Sequence, residues 1–457
     1  MFRGSMFRGS MSQSELFDGV LAAGPVRAEV SDTAWLQAML DVEAALAGAL
    51  ADAGLIQRAH ADAIAEACDV DYYDITELGR QATAVGNPAA SLVRALTKQV
   101  HGDAAGYVHL GATSQDVMDT AAMLVARRAL EAMIADVDAC TTTAATLAEE
   151  HVSTLQVGRT LLQQALPVTF GFTAAGWLAA LDTAAGRMRT LSPTAQLGGA
   201  VGTLASYGDK GQAVLSAFCE RLNLSEPDFP WHTDRTRIAD LAGVLGLVSG
   251  VVSGVARTIT LLAQTEVGEV FEQGPAGSGG SSTMPHKRNP VAAVSALACA
   301  RQAPGLVAVL LGSMEQEYQR AAGAWHAEWR PFSELLRSTG SAVHWLRLSL
   351  ERLRVDPDRM RENLDRTGGV LLAERVTGAL VSRMGRLAAH DAVTECCRRA
   401  VAGEGDLSDL LAQDPLVGKY LDREAIRELL DPAGYLGGAG VFVERALSVH
   451  REELEHL

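Results

Sequence analysis

From Ser31 to about Leu55, apolar residues recur at helical spacing, and Trp35, Leu36, Met39, Leu40, Val42, Ala45 and Leu46 share one face. A second helical stretch begins near Ala59. Gly86-Asn87-Pro88 interrupts the pattern and predicts a turn, because glycine and the residue before proline both disfavour helix. Asn87 is either a turn former or a pocket residue. Thr113 with Asp116 three residues on reads as a variant capping box, and an alanine- and leucine-rich helix follows to about Glu150. Two uncharged runs come next, 160–181 and 241–256. The first is long enough for a bilayer but holds Gln163, Gln164 and Pro167; the second is shorter than the roughly 20 residues a span needs. Both predict helices buried inside a large bundle. A fourth long helix is expected from about Pro290 towards Arg320, broken near Pro304. A fifth ends near Arg354, and Val355-Asp356-Pro357 marks a boundary. Shorter amphipathic helices complete the chain.

Composition agrees with helices: of 457 residues, 48% are hydrophobic and only 5% aromatic, with alanine and leucine dominant. That length calls for more than one core. The formal net charge of −16 argues against general binding to nucleic acid or an anionic membrane. Cys68, Cys140, Cys219, Cys299, Cys396 and Cys397 show no Cys-x-x-Cys spacing and read as reduced core residues of a cytoplasmic protein. Residues 1–10 repeat Met-Phe-Arg-Gly-Ser and read as an appended tag; no signal peptide is visible. No His/Asp/Glu cluster has metal-ligand spacing, so neither a metal nor another cofactor is expected.

The richest chemistry lies in Gly277–Pro290. Three glycines and three serines occupy 277–282, which lets amide N–H groups converge on one place. Met284, Pro285, His286, Lys287, Arg288 and Asn289-Pro290 follow, with Asn289 as N-cap and Pro290 at the first helical position. A helix N-terminus beside lysine and free amides suits an anion; the alternative is a flexible linker. Gly198-Gly199-Ala200-Val201-Gly202-Thr203 is read as a loop between helices. Arg235 and Arg237, ahead of the third long helix, are either solvated charges or pocket cations.

Gly280–Pro290 matches Gly-Ser-Ser-x-Met-Pro-x-Lys-x-Asn-Pro, the mobile-loop pattern of the fumarase/aspartase superfamily, at every fixed position. The chain is identified as resembling that superfamily over most of residues 16–457. The resemblance implies an all-α, three-domain fold whose central long helices form a twenty-helix core in a homotetramer with shared active sites. The domains would be 11–110, 111–355 with a mobile loop at 273–290, and 356–457. Family members add to, or eliminate from, a carbon β to a carboxylate. The resemblance puts the acid/base on Ser281 and charge stabilisation on Lys287. It gives Ser282, Thr283, Met284 and Asn289 to substrate binding.

His109-Leu110-Gly111-Ala112-Thr113-Ser114-Gln115-Asp116 is similar to the family's first active-site region, which implies that His109, Thr113, Ser114 and Gln115 bind substrate carboxylate. Gly158–Thr169 is similar to the second, marking Arg159, Leu161 and Gln163. Most branches hold a histidine where this chain has Leu161, so a proton relay there is absent. Glu317–Arg320 resembles Glu-His-Glu-Arg and retains Arg320. Together with Ala324–Trp329, these features are most similar to the carboxymuconate cycloisomerase branch, where a substrate carboxylate attacks its own alkene. The implied partner is a small di- or tricarboxylate, with no nucleic acid and no membrane. Two rivals remain: a lyase releasing fumarate from another substituted succinate, and a non-enzymatic structural member of the family.

Overall fold

The computed structural model describes residues 15–274, 284 and 287–455. Ser281, Ser282 and Thr283 therefore lie outside the described residues, and with them most of the glycine-rich loop. Helix α1, Asp32–Asp52, starts where the pattern places it: the Ser31 hydroxyl accepts the Ala34 N–H at 3.1 Å. Leu36, Leu40, Leu46 and Leu50 are buried, and so, on the same face, is Glu43. Asn87 accepts the Ala90 N–H and caps the helix Pro88–Gln99, so it is a turn former. Helix α2, Ser114–Glu150, begins with half of the expected capping box: Asp116 Oδ2 accepts the Thr113 N–H at 3.0 Å.

The run 160–181 is not one helix. Leu155–Thr160 (β1) and Gln163–Thr169 (β2) pair as an antiparallel hairpin, with an irregularity between Val157 and Arg159, and helix α3 begins only at Phe170 and ends at Arg189. Pro167 explains the difference. It lacks the N–H that a helix interior needs, while in the hairpin it sits opposite Val157. Leu161 and Leu162 form the two-residue turn with φ of 51° and 65°, a conformation usually left to Asn-Gly. The second uncharged run is helical as expected, within α4, Thr236–Leu262.

Val270–Glu272 (β3) leads towards the loop. Beyond it come α5, Val291–Ala300, and α6, Ala303–Gly312, separated by the break expected near Pro304. The chain after Gly312 is irregular up to α7, Ala324–Glu351, so the fourth helix stops short of Arg320. Leu353–Val355 (β4) pairs with β3. The cap of α5 also differs from expectation. The Ala292 and Ala293 N–H groups donate to Glu272 at 3.0 and 2.9 Å, so the anion at this helix N-terminus is the chain's own carboxylate.

The chain divides into two compact units. One is Met1–Val137, Ala184–Gly254 and Ser295–Leu346; the other is Asp138–Thr183, Val255–Val294 and Arg347–Leu457. The first buries Leu40, Leu92, Leu124, Phe218 and Trp231. The second has a core of Val376, Leu380, Val393, Leu410, Leu411 and Ile426. By length and composition alone, Asp32–Asp52, Thr236–Leu262 and Val291–Gly312 could each cross a membrane; 67%, 50% and 33% of their apolar windows are buried within the chain. The cysteines are all free thiols, and only Cys397 is not fully buried.

Candidate active site

In the first unit, Asp116 organises the N-terminus of α2. Its side chain is 1% exposed and accepts from Thr113 N (3.0 Å), Gly198 N (3.0 Å), Gly199 N (2.9 Å) and His232 Nε2 (2.7 Å). Gly198-Gly199 is thus a loop, as expected, whose amides are spent on a carboxylate of the chain itself. Gly199 has φ of 71°, which favours glycine. The result fixes the turn carrying Thr113 and Ser114. Both are half-buried, and their hydroxyls make no hydrogen bond among the described residues. Two unpartnered hydroxyls at a helix N-terminus suit a carboxylate.

Gln115 is placed differently. It is buried, and its Nε2 donates to Asp119 Oδ2 at 3.0 Å and to the His232 carbonyl at 2.7 Å. Its Oε1 accepts from Arg320 Nη1 at 3.4 Å, while Arg320 Nη2 donates to the Gly199 and Ala200 carbonyls at 2.9 and 3.1 Å. Gln115 therefore holds the surroundings of Thr113 and Ser114. Arg320 is half-buried beside the same turn. Burial lowers its pKa, and the charges of Asp116 and Asp119 partly restore it.

Behind Gln115 lies Arg235, at 2% exposure not a solvated charge. It forks onto Asp119 at 2.9 and 3.1 Å and onto Glu328 at 2.7 Å, beneath the Trp231 ring. Burial opposes its charge, but Asp119 and Glu328 outweigh that and hold the guanidinium above its ordinary value. Burial pushes the Glu328 carboxyl up, and Arg235 offsets only part of this. Arg237 also lies over the Trp231 ring, 5.7 Å from its centre.

His109 precedes this turn with φ of 59°. Its Nδ1 lies 2.6 Å from Glu43 Oε1. Burial opposes protonation of the ring, but the Glu43 hydrogen bond and charge, aided by Asp116, outweigh it, and the pKa is raised. Glu43 was missed in the sequence, although a lone acid on the apolar face of α1 was a visible signal. His232 and Asp119 were also missed; nothing in their spacing marks them.

The second unit carries the remaining residues. Arg159 is committed to Glu269, a fully buried carboxylate that also accepts from Gln156 at 2.9 Å and Asn363 at 2.9 Å. Gln163 is exposed beside the hairpin turn. Leu161 is 97% exposed at its tip, so within one chain it walls no pocket. Lys287 and Met284 are exposed, the Lys287 N–H donating to the Met284 carbonyl at 3.1 Å, and Asn289 is half-buried just before α5.

The long helices, the Thr113–Asp116 turn and the sequence before α5 agree with an enzyme of the lyase superfamily. Residues 19–305 match the family described as Lyase and residues 369–446 that described as Adenylosuccinate lyase C-terminus; the chain belongs to this family, the fumarase/aspartase superfamily. Among its relatives, 3-carboxy-cis,cis-muconate cycloisomerase of Pseudomonas aeruginosa is 47% identical, covering 96% of each chain. Nitrosuccinate lyase of Streptomyces davaonensis is 42% identical over 95% of this chain and 94% of its own. The crystal structure of 3-carboxy-cis,cis-muconate lactonizing enzyme from Pseudomonas putida superposes with a TM-score of 0.91 at 45% identity, covering 96% of this chain and 99% of that one.

Proposed function

We propose that the chain is a cycloisomerase that converts 3-carboxy-cis,cis-muconate into a carboxymuconolactone. The observation that carries this reading is end-to-end similarity, at 47% identity, to an enzyme named for that reaction. In the proposed step one substrate carboxylate oxygen forms a C–O bond to an alkene carbon, and the neighbouring carbon takes a proton from Ser281 or a water it orients. The nucleophile is part of the substrate, so no second reactant has to be held and a leaving-group acid at position 161 is unnecessary. Negative charge that gathers on the carboxylate beside the protonated carbon is stabilised by Lys287 and the loop amides. Thr113, Ser114, His109 and Arg320 bind carboxylates, with Ser282, Thr283, Met284, Asn289 and Gln163 completing the pocket. Gln115 and Arg159 support it through the contacts described above.

The working form is a soluble, cytoplasmic homotetramer with active sites shared between subunits, built on the domains 11–110, 111–355 and 356–457. Exposed apolar side chains support assembly: Val291, Val294, Val309 and Leu311 lie 41–52% open on α5 and α6. The apolar tip at Leu161 belongs to the same account. A second reading is elimination from a nitro-substituted succinate. Its support is the relative named nitrosuccinate lyase, together with Leu161, since a group that departs as a stable anion needs no acid. A substrate panel separates the two: loss of diene absorbance with carboxymuconate, against fumarate release from nitrosuccinate, argininosuccinate, adenylosuccinate, aspartate and malate. Fumarate release without lactonisation would overturn the first reading.

A further inference from the structure

Glu43 is an acid in an apolar place. It stands in the middle of the buried face of α1, 1% exposed, among leucines and alanines. Its Oε1 meets His109 Nδ1 at 2.6 Å, and its Oε2 is buried with no hydrogen-bond partner among the described residues. A carboxylate so enclosed is stable only when a cation or proton compensates it. His109 is the group in contact that can supply one.

The local backbone is built around that contact. His109 takes φ of 59°, and Gly111 takes 78°; a Cβ on Gly111 would run into the Tyr207 ring. The Tyr207 hydroxyl donates to the Leu110 carbonyl at 3.1 Å, so the turn is closed over by an aromatic ring. With Nδ1 tied to Glu43, Nε2 points away from it, and that nitrogen has no hydrogen-bond partner among the described residues. The His109 side chain keeps 18% of its surface open. Four residues later the Thr113-Ser114 turn begins.

We propose that Glu43 is a positioning residue: it holds the His109 ring with Nε2–H directed outward and keeps that ring cationic, so that His109 presents a positive charge to a carboxylate of a tricarboxylate ligand. This rests on the carboxylate-binding part of the reading above and assigns Glu43 the role of setting the charge. The groups facing the ring are Glu43 from α1 and Asp116 from α2, both acidic; Tyr207 is affected by the same two carboxylates. A ring held charged in this way binds an anion while it is protonated, and releases it as pH rises through its raised pKa.

The test uses the full chain and tricarballylate, a saturated tricarboxylate that cannot turn over, so its result is independent of which reaction the enzyme catalyses. Its Kd is measured by calorimetry from pH 6.5 to 9 for wild type, Glu43→Gln, Glu43→Asp and His109→Asn. Asparagine tolerates positive φ, which makes the last variant compatible with the turn. We expect Kd of the wild type to weaken with rising pH. Glu43→Gln should bind about tenfold more weakly at pH 7, with the weakening shifted about one unit lower. Glu43→Asp should recover part of the affinity, and His109→Asn should be weak and indifferent to pH. Wild-type affinity and pH dependence in Glu43→Gln would overturn the proposal. So would pH-dependent binding retained by His109→Asn, or no binding of tricarballylate by the wild type.

Discussion

Replacing Arg235 by methionine removes a buried cation and leaves two acids behind. Asp119 would keep its donors from Gln115 at 3.0 Å and Trp325 at 2.9 Å, and Glu328 its donor from Gln316 at 2.9 Å. Neither would keep a counter-charge among the bonds described. Breaking a buried pair from one side destabilises by about 3–5 kcal/mol. With neutral donors retained on both acids, about 4 kcal/mol at pH 7.5 is expected.

The acid side gives a sharper check. The Glu328 carboxyl already titrates above its ordinary 4.5 because burial disfavours its charge. A carboxyl with a raised folded pKa favours the folded state when protonated, and that advantage is lost as pH climbs from 4.5 through the folded value. Without Arg235 the opposing attraction vanishes, so the window widens upward. The gap between variant and wild type should therefore narrow by roughly 1–2 kcal/mol between pH 7.5 and pH 5.5. Urea unfolding followed by tryptophan fluorescence reads this, at one fixed protein concentration so that any association affects variant and wild type alike. Arg237→Met is the control and should cost less than about 0.5 kcal/mol. A gap below about 1 kcal/mol at pH 7.5, or one that widens on acidification, would refute the argument.

Ser281→Ala should lower kcat by roughly 10²–10⁴ with the fold unchanged; more than about a tenth of wild-type kcat would remove Ser281 from the acid/base role. Lys287→Met should reduce kcat more than it weakens binding of a product analogue, because a cation aimed at developing charge acts in the transition state; equal losses in both would contradict that. Replacing Leu161-Leu162 with Asn-Gly should stabilise the chain by about 1–2 kcal/mol by suiting the turn, yet lower activity if the apolar tip serves a neighbouring subunit's site. Unchanged turnover in a stabilised variant would show the tip to be a plain turn.

Local signals were legible and distant ones were not. Ser31 and Asn87 announce their helices because a cap acts within three residues of itself. Thr113 and Asp116 do the same. Asn289 announced a cap that Glu272 supplies instead, from a strand about twenty residues earlier, and spacing cannot reveal such a partner. The hairpin at 155–169 was hidden because leucine is not a turn residue and its apolar run imitates a buried helix. Arg235 looked like any arginine at a helix start; only folding brings Asp119 and Glu328 to it, 116 and 93 residues away in sequence. Glu43 is the exception, since an acid alone on an apolar face asks for a partner before the partner is known.

Asp116 also carries a kinetic consequence. Its donors come from its own turn, from Gly198 and Gly199 at separations of 82 and 83 residues, and from His232 at 116. Helix α2 can form from local bonds alone, but the turn bearing Thr113 and Ser114 is complete only after two distant segments have arrived. Closing such long loops is slow compared with helix growth. On refolding from urea, helical ellipticity should return well before tricarballylate binding does, and the interval between them should lengthen in Asp116→Asn. A partly folded chain would then be helical yet unable to capture a carboxylate, so the ligand would report on the last step of maturation.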